Sequence, residues 1–462
     1  PFFGSGTFMP SGGIQLKINM TEGAEWKSIL RFTLPLMAAN VLQQLYNIVD
    51  GIIVGNFVGQ DALSAVGTCG PLTAFFIALA FGMSVGAGIL ISQYFGAQQH
   101  EVLRETVSTT LLLMLGLGVA FTAIGIAVAR PVLRTFLLVP DSFLDAAVSY
   151  FQIYCVGLLF SFAYNIVSFT LRSVGDSSST LYFLLIAAVT NVGLDLLFVA
   201  VFHWGVAGAA WATNIAQALS AVVSLVYMQR RHALLRFRLR ELRFHGDKAR
   251  LCIRLGVPTT VQQIVVTCGT LAIQRVINSF GNDFIAGMTA ANRAYAILTA
   301  PCGAFNNSTS TFAGQNLGAG KPERARRGAW ESAGMCFALG LLLGIPAFLL
   351  AEPIVGLFGV GGEVRALGAP FIRVCGLALP VFGCYMAFSG TYRGAGDVLA
   401  ATSITVFCLT LRTAATYFLA YRTDLGTLAV AYGLLFDWIP CTAIGTLRFL
   451  FCVCVRTDFK QH

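Results

Sequence analysis

The sequence predicts an all-α integral membrane protein: twelve transmembrane helices in two six-helix lobes, related by a pseudo-two-fold axis along the membrane normal. Three observations predict it. The 462 residues are 56% hydrophobic and only 11% charged, with a mean hydropathy of +0.75; a soluble domain is nearer about 25% charged. Twelve apolar runs each reach the roughly 20 residues that cross a bilayer. The second half of the chain repeats the first.

The runs fall at 29–56, 62–93, 105–129, 142–170, 178–202, 205–228, 255–280, 284–312, 328–351, 366–391, 398–420 and 426–450. Between the sixth and seventh lies the longest polar stretch, "QRRHALLRFRLRELRFHGDKAR" (229–250), with eight basic residues against two acidic ones. By the positive-inside rule it belongs in the cytoplasm. It is read as an inter-lobe loop, 229–254, joining an amino-terminal lobe (28–228) to a carboxy-terminal lobe (255–450). Six spans precede it, so both termini are expected in the cytoplasm, and the protein in the cell membrane. "GKPERARR" (320–327), Lys27, Arg31, Arg456 and Lys460 fall on the same side, and only Arg130, Arg134, Arg365 and Arg422 mark the other. The same rule accounts for the net charge of +9 without a nucleic-acid partner.

Residues 1–19 have no clean signal-peptide shape; 1–27 are expected to be a disordered cytoplasmic segment, with Met9 or Met20 as the start, and 451–462 reads as a cytoplasmic tail. The twelve cysteines are scattered through apolar runs, as small buried hydrophobes are; Cys452 and Cys454 alone make a weak metal motif.

The repeat has a fixed register. "SQYFGA" (92–97) aligns with "GQNLGA" (314–319), and "GQDALSA" (59–65) with "GNDFIAG" (281–287), both offset by 222. "LRSVGD" (171–176) aligns with "YRGAGD" (392–397) at 221, and Pro35 and Pro258 open the first span of each half. Four matches in register signal duplication. An even number of spans per half makes the halves run the same way, with a cavity between them, which is a transporter architecture.

Polar atoms inside the apolar runs mark the candidate site. Asn191 and Asp195 are i and i+4 and share a helix face. At about 1.5 Å per residue, Asp195 lies about six residues from the outer end of its span, Asn191 about ten, Thr213 of the sixth span about eight and Asp50 of the first about six. Such groups are costly in hydrocarbon and must face a protein interior or a cavity. Gln43, Tyr46, Asn47 and Asp50 form a stripe on the first span, so Gln43, Tyr46 and Asn47 are expected to line the cavity. Two carboxylates, an amide and a hydroxyl are hard oxygen ligands that could hold Na⁺. Two carboxylates brought together in a low dielectric could equally share a proton. No His or Cys accompanies them, which argues against catalytic metal, and no cofactor is expected. In the second half Arg412 takes the repeat position of Asn191. Asp437 lies at a similar depth, so the two are expected to pair. Pro35 removes a backbone hydrogen bond and reads as a hinge.

On the duplicated halves, on "PLMAANVLQQLYNIVDGIIVG" in the first span and on the paired "SQYFGA"/"GQNLGA" and "LRSVGD"/"YRGAGD" motifs, the chain resembles the multidrug and toxic compound extrusion (MATE) antiporters over about residues 28–450. The resemblance implies a secondary exporter, not an enzyme, working by alternating access. A cation, H⁺ or Na⁺, moves inward and drives amphipathic, cationic organic small molecules outward across the lipid bilayer. It also implies the coupling-cation site: an Asp of the first span, an Asn-x3-Asp of the fifth and a Thr of the sixth, here Asp50, Asn191, Asp195 and Thr213. A branch with acids in the seventh and tenth spans is not matched, because those spans contain none here. A monomer is expected. The alternative within transport, a flippase for lipid-linked saccharides, would favour a strongly cationic cavity; the intramembrane basic residues are Arg275, Arg293 and Arg412. A membrane-embedded enzyme would need a paired motif, such as D-D-x-x-D, that the chain lacks.

Overall fold

The computed structural model describes residues 18–57, 60–137 and 139–451, all helix, turn or loop without a strand. In the first lobe α1 (Glu25–Phe57), α2 (Gln60–Gly96), α3 (His100–Pro131), α4 (Asp141–Ser173), α5 (Ser178–Asp195) and α6 (Gly205–Arg231) follow in order. α3 and α5 each run on into a π turn, Val132–Phe136 and Leu196–Val201. The second lobe has α7 (Gly246–Asn278), α8 (Asn282–Gly318), α9 (Pro322–Leu349), the short α10 (Ala351–Gly356), α11 (Gly362–Gly394) and α12 (Val398–Arg422). The twelfth apolar run, expected as one span, is interrupted at Leu434 into α13 (Leu428–Gly433) and α14 (Leu435–Phe451).

Among the described residues ten helical segments are long and apolar enough to cross a membrane. α1 and α8 are as long, 33 and 37 residues, but more polar. Their place explains it: they meet between the lobes, where the Asn40 amide donates to the Ala300 carbonyl at 3.1 Å. Each lobe has its own apolar core, one around Phe76, Phe151 and Phe162, the other around Phe284, Phe371 and Trp438. Ten cysteines are described, all free and eight of them buried; Cys452 and Cys454 lie outside the described residues.

Two expected boundaries move. Residues 1–17 and 452–462 lie outside the described residues, but 18–24 are docked rather than loose. Met20 is fully buried. Its carbonyl accepts from Asn316 at 3.0 Å, and the Arg324 guanidinium donates to the Gly23 carbonyl at 2.7 Å. Ile18 N–H reaches the Gly175 carbonyl on the other lobe at 3.2 Å. The inter-lobe loop shortens to 232–245, because α6 continues to Arg231 and α7 starts at Gly246. It is pinned to α3 by Ser108, which bonds the Arg243 backbone at 2.8 and 3.0 Å.

The repeated motifs close the end of the molecule that carries this loop, here called the linker face. Gln93 Nε2 donates to the Gly394 carbonyl at 2.8 Å, and Gln315 Nε2 to the Ser173 carbonyl at 2.7 Å. These are the same bond made twice, reciprocally, between "SQYFGA" of one lobe and "YRGAGD" of the other, and between "GQNLGA" and "LRSVGD". The helices approach so closely that a Cβ on Gly96 would sit 1.9 Å from the Gln315 carbonyl oxygen, and one on Gly318 2.0 Å from that of Gln93.

The "GD" ends of the other motif pair also have a shared cause. Gly175 and Gly396 adopt φ of +92° and +85°, which glycine reaches without strain. The following Asp176 and Asp397 then accept from the N–H groups of Ser179 and Ala400 and cap α5 and α12. Asp176 also binds His232 at 2.9 Å and the Tyr227 hydroxyl at 3.0 Å, as Asp397 binds Arg448 at 2.6 Å. Burial would raise the Asp176 pKa, but the bonds from His232, Ser179 and Tyr227 hold it below the usual carboxylate value.

Candidate functional site

α1, α5 and α6 bring the four predicted site residues together in the first lobe. Asp195 is the last residue of α5 before the π turn, and π segments often mark functional positions. Asn191 and Asp195 are fully buried. With its nitrogen toward Asp195, the Asn191 amide donates to Asp195 Oδ2 at 2.7 Å and to the Tyr46 hydroxyl at 3.2 Å. Its oxygen then accepts from Thr213 N–H at 3.1 Å and from Thr213 Oγ1 at 3.3 Å. The reverse orientation sets oxygen against oxygen, so the network fixes this one. The Thr213 hydroxyl also lies 3.1 Å from the Ala209 carbonyl. The Asp50 carboxyl on α1 and the Asp195 carboxyl on α5 lie within interaction range of each other. The second oxygen of Asp195, Oδ1, has no partner among the described protein atoms.

Tyr46 therefore belongs to the acid site rather than to the cavity lining expected for it. Asn47 does line an inter-lobe cavity of about 400 Å³, with Gln44, Gln274, Thr289, Asn292 and Arg293 among its other walls. Gln43 reaches that wall indirectly, donating to Asn47 Oδ1 at 3.3 Å. Among the described residues no aromatic side chain lines this cavity. Sequence reasoning missed Tyr150, which stacks on Tyr154 at 6.4 Å and lies within electrostatic range of Asp50 and Asp195. Its only signal was an i, i+4 pair of tyrosines in the fourth apolar run.

Pro35 lies within an unbroken α1. In the second lobe Arg412 Nη1 lies 3.6 Å from Asp437 Oδ2, with both side chains largely buried. Cys441 Sγ lies 3.6 Å from the other Asp437 oxygen. The carboxylate there faces a fixed cation, whereas in the first lobe a carboxyl faces a carboxyl. Among the described residues no group of three or more His, Cys, Asp or Glu side chains could hold a metal ion.

Comparison with known proteins gives the fold a family. The MatE family profile matches twice, at 35–197 and 258–418. The chain is 29% identical over 381 residues to the probable multidrug resistance protein YpnP of Bacillus subtilis, covering 82% of this chain and 85% of that protein. It is 23% identical over 432 residues to the probable multidrug resistance protein NorM of Thermotoga maritima, covering 92% of each. It superposes with a TM-score of 0.87 on the outward-facing conformation of a multidrug resistance MATE family transporter of the MOP superfamily, at 23% identity over 94% of this chain and 97% of that one. That last likeness concerns the fold. The profile match falls once on each six-helix lobe, and the chain belongs to the MATE family: it is a multi-pass membrane transporter and not an enzyme.

Proposed function

We propose that this transporter is an antiporter that exports amphipathic organic compounds in exchange for an inward-moving cation taken up at Asp50 and Asp195. The observation that carries the reading is the meeting of two carboxyls, the half-buried Asp50 of α1 and the fully buried Asp195 of α5, within one hydrogen-bonded network. Two ionised carboxylates repel, so a pair of this kind favours holding a proton. Asn191 turns its N–H₂, not its oxygen, toward Asp195. A donor in that place suits a proton site better than an oxygen cage for Na⁺. Loss of the proton would leave two like charges on two helices, a force that moves α1 against α5. Pro35 gives α1 a place to bend. The relatives named multidrug resistance proteins support export of chemically varied compounds.

The test is efflux from proteoliposomes. Dye export follows an imposed pH gradient, acid on the side toward which the substrate leaves, and a Na⁺ gradient at constant pH does not replace it. Export that needs Na⁺ and ignores pH would assign the site to Na⁺ instead. No gradient-driven export of any compound would overturn the antiport reading.

The linker face is assigned to the cytoplasm by its basic residues, so the bonds of Gln93 and Gln315 hold the cytoplasmic end closed. Two buried hydrogen bonds at about 1 kcal/mol each favour that state by roughly thirtyfold. The double variant Gln93→Leu/Gln315→Leu is expected to populate a state open at this end. Spin labels at Gln98 and Lys321, both exposed, should then show a longer-distance population absent from the parent protein. An unchanged distance distribution would remove the latch from the account.

A further inference from the structure

Three arginines face the seam between the lobes without, among the described residues, a carboxylate to neutralise them. Arg293 lines the cavity between α1, α7 and α8, about eleven residues from the start of α8, which is about 16 Å at helical rise. Its neighbours in the wall are the amides of Gln44, Asn47, Gln274 and Asn292 and the hydroxyl of Thr289. Arg172 and Arg393, at matching positions of the repeat, line a second and much smaller cavity near the linker face. Arg393 is buried and bonded only to the neutral side chains of Asn306 at 3.1 Å and Gln262 at 2.8 Å, and its Nε has no partner. Arg172 Nε donates to Thr180 Oγ1 at 3.3 Å, and its guanidinium lies 5.2 Å from the Phe169 ring centroid. Among the described residues none of the three forms an ion pair, whereas Arg412 has Asp437.

A cation kept at membrane depth without a counter-ion is costly and marks a functional position. The amide wall adds neutral hydrogen bonds and no negative charge. Among the described residues that line this cavity none is acidic, so a cationic compound would meet the charge of Arg293 there with no carboxylate in the wall. An anionic one would supply the missing counter-ion. Guanidinium forks match carboxylate and phosphate oxygens.

Resting on the antiport reading, we propose that the inter-lobe pathway selects substrates carrying an anionic group, a carboxylate or a phosphate, and that Arg293 binds this group in the cavity. Arg172 and Arg393 provide the corresponding positive charge at the other end of the pathway. The charge of the cavity thus points away from the cationic substrates that the family resemblance implied.

Binding to the purified full-length protein in detergent tests this without any gradient, so it stands or falls apart from antiport. The probes are fluorescein (carboxylate), 4-methylumbelliferyl phosphate and ethidium (cation). The wild type is expected to bind both anions more tightly than ethidium. Arg293→Gln should weaken the anions by about tenfold to a hundredfold, the range of a charge-assisted hydrogen bond, and leave ethidium unchanged or improved. Arg293→Glu should invert the preference, and Arg275→Gln, outside the cavity wall, should leave it as it is. Competition by inorganic pyrophosphate against farnesyl pyrophosphate then separates a free anion from a lipid-linked one. Preferential binding of ethidium by the wild type, or anion affinities unchanged in Arg293→Gln, would overturn the proposal. Unchanged melting temperatures ensure that a loss is not unfolding, and if Arg293→Glu fails that criterion, Arg293→Gln alone decides.

Discussion

Asp195→Asn is expected to reduce gradient-driven export to the leak of empty vesicles while leaving the protein folded. The substitution keeps the shape of a side chain that is fully buried, so the apolar surroundings are undisturbed. It removes the group that can take up and release a proton. It also leaves Asp50 without the second carboxyl of the pair. Asp195→Glu keeps the acid but lengthens it inside a network closed at 2.7 and 3.1 Å by Asn191 and Thr213. It should therefore retain a measurable but reduced rate. Efflux at the parental rate from Asp195→Asn, measured in the same vesicles, would remove this residue from coupling.

The second large effect is on stability, in the other lobe. Arg412 and Asp437 are 3.6 Å apart and their side chains are 14% and 13% exposed. Removing one partner of a buried pair leaves an uncompensated charge and typically costs about 3–5 kcal/mol. Arg412→Leu and Asp437→Leu should therefore each lower the melting temperature, and the double variant should recover much of the loss. If the two losses add, the pair does not interact. The Asp437→Asn variant separates structure from transport. Loss of export at unchanged stability would make Asp437 a second functional acid. On the present account it destabilises instead. Arg412 stands at the repeat position of Asn191 and supplies this lobe with a permanent cation, where the first lobe has room for an exchangeable one.

The span count was legible because lipid demands about 20 apolar residues per crossing, and all twelve runs correspond to helices or helix pairs. The repeats were legible as strings, but their purpose was not. That Gln93 and Gln315 bond each other's lobes requires knowing that α2 and α8 cross there, and a hydrogen bond to a carbonyl leaves no trace in the sequence of its acceptor. The docking of residues 18–24 escaped for the same reason, since the Gly-rich composition before it reads as loose chain while Met20 is held by Asn316 and Arg324. The pairing of Asn191 with Asp195 followed from a spacing of four. Tyr150 lies on α4, whose acids, Asp141 and Asp145, sit in its first two turns, so no polar pattern within the span pointed to it. Arg293 was visible as a basic residue in an apolar run, but which way it faced was decided only by the packing of α8 on α1.

The central claim is that cation exchange passes through the Asp50–Asp195 pair, and proton release on substrate binding tests it most directly. Purified protein in weakly buffered detergent solution is titrated with a transported compound while pH is followed with a glass electrode. The account predicts about one proton released per compound bound near neutral pH by the parent protein, and none by Asp195→Asn. Equal release from both proteins would contradict it.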